Sequence, residues 1–269
     1  MKRYLYFLIF ILAPLLGKSQ DFEIGVFGGI SNYQGDMAPD IVWKESHPAF
    51  GACLKYNMSP YFSLRFDGNY GMISGNDTNN ASTKLRNLSF STKIYELSGQ
   101  LEFNFFRFAQ GLRAKKFTPY VFTGISAFYF NPETQYNGET YSLRLYATEG
   151  QGYKDGQPNS YNNWQLAIPI GGGFKFHPNE NWNIYFHASY RMTFTGYLDD
   201  VYGTYASKQQ LTADAGQLAP TLADRSGEKT GVYYGYPGRQ RGNSSYDSYI
   251  FMGFTFARII PNKICPVMR

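Results

Sequence analysis

Histidine, serine and carboxylate side chains are the groups from which a catalytic site would have to be built, and the chain has only three histidines. Ser189, a potential nucleophile, lies two residues after His187, so in an extended segment the two side chains are on the same face. A Ser–His–acid triad also needs a carboxylate that orients the imidazole, and no local catalytic motif surrounds this pair. The sequence therefore predicts that His187 and Ser189 are packed polar residues and that the protein is not an enzyme.

Acidic residues in polar, turn-rich stretches are the second group that could do chemistry, because carboxylates are ligands that Ca²⁺ takes in proteins. Asp199 and Asp200 are adjacent, but no stretch has the spacing of an EF-hand loop. Acids without that spacing are expected to be solvated or paired with arginine, so the sequence predicts neither a metal site nor a bound cofactor. The acids concerned are Asp36, Asp40, Asp77, Asp199, Asp200 and Asp224.

The N-terminus carries the only continuous apolar run of the chain. Lys2 and Arg3 precede the largely apolar residues 4–16, and small residues follow at positions 17 and 19. This run is too short to cross a bilayer, whereas a basic start, an apolar middle and small residues at the end are typical of a secretory signal peptide. We therefore predict that residues 1–19 are cleaved on export.

Composition and charge exclude two broad classes of protein. The 269 residues include 24 Tyr, 23 Phe, 3 Trp and 28 Gly, but no apolar run is long enough for a helical membrane span. The formal charge of +5 falls to 22 − 20 = +2 once Lys2, Arg3 and Lys18 leave with the signal peptide. A nearly neutral chain has no electrostatic basis for binding nucleic acid.

Apolar and polar residues alternate with a period of two through the mature chain, which predicts β-strands. The clearest segment is 182–195, where one face carries only apolar or aromatic residues and both ends are aromatic. This pattern is typical of a strand that faces lipid and has aromatic residues at both membrane interfaces. Eight strands are predicted, at residues 22–31, 50–56, 61–72, 96–105, 119–130, 164–177, 182–195 and 246–258.

The connections between these strands alternate between short and long, as in outer-membrane barrels with short periplasmic turns and long extracellular loops. The chain is thus predicted to be all-β, with residues 20–258 forming an eight-stranded antiparallel transmembrane β-barrel. Its location would be a Gram-negative outer membrane, and an even number of strands puts both termini in the periplasm. The short connections are 57–60, 107–118 and 177–181, and the long ones are 32–48, 74–90, 131–163 and 196–246.

A soluble β-sandwich or lipocalin-like barrel is the alternative fold, because its strands alternate as well. Its apolar faces would point inward. Charges of both signs at mid-strand, such as Arg65 and Glu96, favour a membrane barrel with a hydrogen-bonded interior. Eight strands leave an interior filled by side chains, so we expect no wide channel for solutes.

Basic residues without a nearby acid cluster on two segments that are predicted to face the periplasm. They would contact either anionic lipid headgroups or an acidic periplasmic partner, whose association they would steer. The predicted contact residues are Arg107, Arg113, Lys115, Lys116, Arg258 and Lys263.

Short strand and loop motifs follow one another in a particular order along the mature chain, at residues 23–36, 48–51, 55–57, 118–120, 128–132, 148–152, 168–173, 191–201, 224–226 and 241–242. The first ends in Ser-Asn-Tyr-Gln-Gly-Asp, and the one at 191–201 ends in Gly-Tyr-Leu-Asp-Asp-Val. Each motif is weak alone, but the set spans nearly the whole chain. In this order they resemble the PorG-type outer-membrane proteins of the bacterial type IX secretion system.

The resemblance implies a non-enzymatic part of a secretion machine. The family is expected to tie a periplasmic ring of PorK–PorN type to the outer membrane, so it implies those partners together with membrane lipid, and no small-molecule substrate. Two alternatives stay open. One is a lipid-A- or phospholipid-modifying barrel enzyme centred on His187 and Ser189, and the other is an adhesin or ligand-binding barrel that works through its long loops.

The C-terminus departs from the many barrels that end on the last strand. Residues 259–269 continue as a short basic tail, predicted to lie in the periplasm, and they include Cys265. Two cysteines cannot build a disulfide framework. A bridge from Cys265 to the inward-facing Cys53 is conceivable, but unpaired thiols are expected.

Overall fold

The computed structural model describes residues 22–108, 115–154, 157–158, 161–243 and 245–260, so the predicted signal peptide lies outside the described residues. Strands dominate the described chain. They are β1 (Phe22–Gln34), β2 (His47–Asn57), β3 (Phe62–Asn76), β4 (Ser89–Asn104), β5 (Phe117–Tyr129), β6 (Pro132–Tyr136), β7 (Glu139–Ser142), β8 (Tyr153–Lys154), β9 (Gln157–Pro158), β10 (Trp164–Asn179), β11 (Trp182–Thr193) and β12 (Ser248–Ile260).

The eight long strands close into one antiparallel barrel in the order β1–β2–β3–β4–β5–β10–β11–β12. The last strand returns to the first, with Phe22 opposite Ile260. Closure leaves none of the eight strands with an unpaired edge, as a sheet in lipid requires. The prediction of an eight-stranded antiparallel outer-membrane β-barrel is confirmed.

The two ends of the barrel differ in the length of their connections. Residues 58–61, 105–116 and 180–181 connect strands at the end where β1 begins and β12 finishes, which we call the short-turn rim. The other end carries the four long connections, whose described residues we call the cap. These connections are residues 35–46, 77–88, 130–163 and 194–247.

Apolar side chains point outward and polar side chains point inward along the barrel strands. Leu97 and Ile125 are each 68% exposed, whereas their neighbours Glu96 and Ser126 are buried. A soluble barrel would show the reverse, so the soluble alternative is wrong. The outward residues include Ile24, Val26, Phe50, Leu54, Phe66, Leu97, Leu101, Val121, Ile125, Leu166, Ile170, Phe174, Phe254 and Phe256.

Strand β4 is longer than the sequence predicted, since it begins at Ser89 and not at residue 96. Beyond Tyr95, the outward residues of this extra stretch are Ser89, Ser91 and Lys93, which are polar. The prediction relied on an apolar outer face, and that face ends where the strand leaves lipid. Strands β3 and β4 stay paired through this stretch, so the sheet continues beyond the apolar belt.

The barrel interior buries as many acids as bases. Four carboxylates and four cationic side chains from the strands are each at most 5% exposed. Uncompensated charge is costly in a medium of low dielectric constant, so this equality is what a filled interior requires. The residues are Glu23, Asp67, Glu96 and Glu102, with Lys55, Arg65, Lys175 and Arg191.

Glu102 is the acid with the most cations around it. Its Oε2 lies 2.5 Å from Lys175 Nζ and 3.8 Å from Lys55 Nζ, and its Oε1 lies 3.6 Å from Arg65 Nη1. Lys55 also contacts Glu23 at 3.2 Å. These contacts join strands from opposite sides of the barrel across its interior.

A second ion pair lies nearer the cap. Arg191 Nε and Nη2 donate to the two carboxylate oxygens of Glu96, each at 3.0 Å. Tyr249 and Asn69 donate to the same carboxylate at 2.7 and 3.0 Å. Bidentate arginine pairing with further donors is the geometry in which a buried charge is fully compensated.

The cap closes the long-loop end over an apolar core that includes Tyr33, Phe90, Phe128 and Phe251. The hairpin of β6 and β7 extends the sheet from the outer end of β4. None of the helices in the described ranges is long and apolar enough to cross a membrane. The α-helices of the cap are α1 (Lys208–Ala215), α2 (Ala219–Ala223) and α3 (Gly227–Thr230).

The apolar belt makes a prediction about Leu97, which lies near the middle of the outward face of β4. Leu97→Arg should lower the free energy of unfolding in lipid vesicles by about 2–4 kcal/mol, because a charge would face hydrocarbon. Leu85→Arg is the matched control, since Leu85 is 58% exposed but belongs to a cap connection. Urea unfolding in vesicles measures both, and equal effects would contradict a lipid-facing position for Leu97.

Candidate functional site

His187 lies inside the barrel, as its strand phase predicted, and is 5% exposed. Its ring stacks on Phe27 at 5.1 Å and meets the edge of Phe122 at 5.9 Å. His187 Nδ1 and Ser189 Oγ are both buried, and neither has a hydrogen-bond partner among the described residues. No relay from a carboxylate through the imidazole Nδ1 to a nucleophile is therefore assembled here, although the two side chains share a face.

The structure agrees with the prediction for some of the acids and contradicts it for others. Asp40 is exposed, and Asp77 is paired with Arg86, whose Nε and Nη2 donate at 2.8 and 2.6 Å. Both agree with expectation. Asp199 and Asp200 are 0% exposed and Asp224 is 3% exposed, so the expectation of solvated acids is wrong for them. The long connections fold over the barrel mouth and bury them, which their polar sequence did not indicate.

Asp224 and Asp200 have protein hydrogen-bond donors in place of water. Asp224 accepts from the backbone of Ser226 at 3.1 Å and of Gly235 at 3.0 Å. Asp200 accepts from Tyr161 at 2.8 Å and from Thr148 at 2.5 Å. Burial raises the pKa of Asp200 to about 6.

Arg241 connects several cap segments. Its Nη1 lies 3.2 Å from Glu149 Oε1 and donates to the Asp200 carbonyl at 2.5 Å, and its Nε donates to the Ala223 carbonyl at 3.3 Å. Its own carbonyl accepts from Arg86. One buried guanidinium thus holds together segments that are far apart in sequence.

Asp36, Asp199 and Asp247 form a cluster of carboxylates, which we call the aspartate triad. Each contributes one oxygen, and the three oxygens lie within 4.8 Å of one another. Asp36 follows β1, Asp199 follows β11 and Asp247 precedes β12. These three strands are neighbours in the barrel, which is why residues so far apart in sequence meet. Asp36 and Asp199 are among the acids identified from the sequence, and Asp247 is not.

The three aspartates of the triad lie close together away from water, and this raises their pKa values. Burial, together with the charge of Asp36, raises the pKa of Asp199 well above its usual range. Burial and the charge of Asp199 do the same to Asp247. The pKa of Asp36, also raised by burial, reaches about 6. Three carboxylates in this space are therefore stable only with protons or with a positive partner.

The short-turn rim carries the basic residues of the β4–β5 connection. Arg107, Lys115 and Lys116 are exposed. Lys115 donates its backbone N–H to the Arg107 carbonyl at 2.8 Å, and its Nζ lies 4.3 Å above the ring of Phe106. These three cations form one group, while Arg113 lies outside the described residues.

Arg258 does not belong to that group. It lies near the end of β12, and β10 and β11 separate it from β5. The turn between β10 and β11 carries Glu180, which is exposed. The basic residues of the rim are therefore divided, with an acid between them. Lys263 lies outside the described residues.

Cys53 faces the barrel interior and is 5% exposed. Cys265, the second cysteine of the chain, lies outside the described part of the chain. Strand β12 runs to Ile260, so the first two residues of the predicted tail belong to the barrel.

The contacts of Arg241 predict a local effect of its removal. Arg241→Met should lower the free energy of local unfolding of the cap by about 3–5 kcal/mol, because buried Glu149 loses its partner. Hydrogen exchange of peptides from residues 147–150 and 197–205 measures this change. The control is Arg239→Met, which alters an exposed residue of the same segment. Equal protection in the two variants would contradict the role of Arg241.

Known structures with a similar fold come from several bacteria. Ail, the attachment invasion locus protein of Yersinia pestis, solved in complex with the heparin analogue sucrose octasulfate, is 9% identical with a TM-score of 0.40, and the match covers 90% of this chain and 99% of that one. Outer membrane protein OprG from Pseudomonas aeruginosa is 11% identical with a TM-score of 0.40, covering 87% and 95%. Neisserial surface protein A is 8% identical with a TM-score of 0.41, covering 88% and 96%.

At these identities and scores the likeness adds nothing to what the strand pairing establishes. No curated protein matches the chain. The family model described as "Domain of unknown function (DUF6089)" matches residues 2–214, which is more than half of the sequence. The chain therefore belongs to the DUF6089 family.

Proposed function

We propose that this protein is a structural outer-membrane component of the type IX protein secretion machinery and links a periplasmic ring complex to the membrane. In this proposal the short-turn rim faces the periplasm and the cap faces outward. The observation that carries it is that four of the motifs resembling PorG-type proteins, at 23–36, 148–152, 191–201 and 241–242, contact one another in the cap.

Those motifs are distant in sequence and touch in space. Arg241, from the motif at 241–242, contacts Glu149 of the motif at 148–152 and the Asp200 carbonyl of the motif at 191–201. Asp36, the last residue of the first motif, accepts from the backbone of Asn243 at 2.8 Å. Residues that build one three-dimensional unit are a more specific signature than short motifs that match independently, and this supports the resemblance.

The filled interior supports a scaffold in preference to a channel. The ion pairs of Glu102 and Glu96 cross the lumen, and the apolar core of the cap lies above them. Buried ion pairs are costly to break, so opening a path for solutes would require several to break together. A barrel of this kind contributes its surfaces and its two ends.

The basic group of the β4–β5 connection supports a contact with an acidic partner. Arg107, Lys115 and Lys116 are exposed at the rim where both described ends of the chain also lie. Exposed rim charges mainly raise the association rate and make it dependent on salt. This group is the site that we assign to the ring complex.

An adhesin or ligand-binding barrel is the second candidate. The cap presents large aromatic side chains to solvent, with Trp43 62%, Tyr236 59% and Tyr233 53% exposed. Exposed aromatic residues on an ordered surface are suited to recognition of another molecule. In this reading, only variants with substitutions in the cap would show a phenotype.

The proposal predicts the effect of charge reversal at the short-turn rim. The double variant Lys115→Glu, Lys116→Glu, tagged and purified from outer membranes in mild detergent, should recover several-fold less ring lipoprotein and partner than the unaltered chain. Mass spectrometry of the co-purified proteins measures the recovery. Raising the salt concentration should lower recovery for the unaltered chain more than for the variant, because the attraction is screened.

A matched control is the double variant Lys44→Glu, Lys84→Glu, which makes the same charge change at exposed positions of the cap. It should recover the ring proteins as well as the unaltered chain does. Deletion of the gene should leave cargo with C-terminal secretion signals inside the cell. Full secretion without the gene would refute the proposed role, and equal recovery of the ring proteins by all variants, with a phenotype confined to cap variants, would favour the adhesin or ligand-binding candidate.

A further inference from the structure

The aspartate triad lacks the positive partners that the buried acids of the barrel have. Within the described residues, no Lys, Arg or His nitrogen lies within 4.0 Å of a carboxylate oxygen of Asp36, Asp199 or Asp247. The cap as a whole has the same imbalance. In its described residues six aspartates are buried, but Arg241 is the one base buried to the same degree. The barrel interior, by contrast, balances four acids with four bases.

Hydrogen bonds do not fill this gap. The backbone N–H groups of Asn243, Val201 and Leu198 reach one oxygen of each aspartate. The remaining oxygens of Asp199 and Asp247 both depend on the hydroxyl of Tyr33, at 2.7 and 3.0 Å. A hydroxyl has one proton to donate, so it cannot satisfy both carboxylates fully.

The third oxygen has no donor at all. Asp36 Oδ2 is buried without a hydrogen-bond partner among the described residues, and the residue as a whole is 8% exposed. A buried carboxylate oxygen without a partner carries the full cost of its lost hydration. Such an atom, next to two other carboxylates, indicates a ligand that supplies positive charge.

Two glycines keep space open beside these oxygens. A Cβ at Gly35 would collide with Asp247 Oδ1 and with the Tyr33 hydroxyl. A Cβ at Gly242 would lie 2.8 Å from Asp36 Oδ2. Any other residue at either position would push side-chain atoms into the triad.

We propose that Asp36, Asp199 and Asp247 bind a hard divalent cation of the Ca²⁺ type. Ca²⁺ takes oxygen ligands at about 2.3–2.6 Å, so two of its ligands can be as much as about 5 Å apart, and the spacing in the triad is within that limit. The donors are oxygens without any imidazole or thiolate, which favours Ca²⁺ or Mg²⁺ over Zn²⁺ or Cu²⁺. Asp36, the most exposed of the three, marks the side from which the ion enters and from which water completes the coordination.

This site is independent of the secretion role, because it lies in the cap and needs no partner protein. It gives the cap a cross-link between the connection that follows β1 and the two ends of the connection from β11 to β12. Ca²⁺ sites in extracellular modules have dissociation constants of about 10⁻⁴–10⁻³ M. With the cap facing outward, as proposed above, a site of that affinity would be filled or emptied by changes in the calcium level outside the cell.

The test is a Ca²⁺ titration of the full chain, extracted in mild detergent, stripped with a chelator and dialysed. Isothermal calorimetry should show one saturable site per chain, and Ca²⁺ should raise the Tm of the protein. Asp36→Asn should weaken binding at least tenfold, and Asp199→Asn should abolish it. Asp40→Asn is the matched control, since it removes an exposed acid of the same connection, and it should bind as the unaltered chain does.

Two results would overturn the proposal. One is a lack of saturable uptake of Ca²⁺ and of Mg²⁺ by the unaltered chain at millimolar concentration, which would show that protons alone stabilise the triad. The other is unchanged affinity in Asp36→Asn. Because Asp36 retains some exposure, Asp36→Asn is expected to fold. Its affinity for Ca²⁺ therefore tests the proposal even where Asp199→Asn fails to fold.

Discussion

Ion pairs cross the narrow interior of the barrel, and those of Glu102 join the largest number of strands. A strand in lipid must present apolar residues outward, and the period of two then places its polar residues inward. With eight strands the interior is too narrow for bulk water, so its charges must find partners in one another. Glu102 meets Lys55, Arg65 and Lys175 from three other strands, and these contacts fix how the sides of the barrel face each other.

The need to neutralise the interior charges also makes the barrel wall differ from the two ends of the molecule. The barrel interior is electrically neutral and leaves nothing for a ligand to neutralise. The cap is acidic inside, and the β4–β5 connection of the short-turn rim is basic outside. Surfaces able to bind another molecule therefore lie at the two ends. The wall between them faces lipid on its outer side, and ion pairs fill its inner side.

The barrel was predictable from sequence because lipid imposes one rule on every strand. Alternation located all eight strands, and it failed at the outer part of β4, where Lys93 and Ser91 replace apolar residues on the outward face. The cap follows no such rule. Its contacts join residues such as Arg86 and Arg241, which are 155 positions apart, and no periodicity encodes pairings of that kind. The acids were visible in the sequence, but their burial and the place of Asp247 were not. The presence of Gly35 beside Asp36 was the one local hint of close packing.

The position of the aspartate triad has a consequence for assembly. Asp36 lies just after the first strand and Asp247 just before the last, so the triad sits above the seam where β1 and β12 join. Tyr33 and Asp247, which it brings into contact, are 214 residues apart. Contacts of such separation form late, because the intervening chain must be ordered first. Asp36 can therefore join Asp199 and Asp247 only in a barrel that has closed in the correct register, and a slip of one residue between β1 and β12 would move Asp36 away from the other two. All three carboxylates are therefore together only in a closed barrel, and an open sheet would lack the complete cluster.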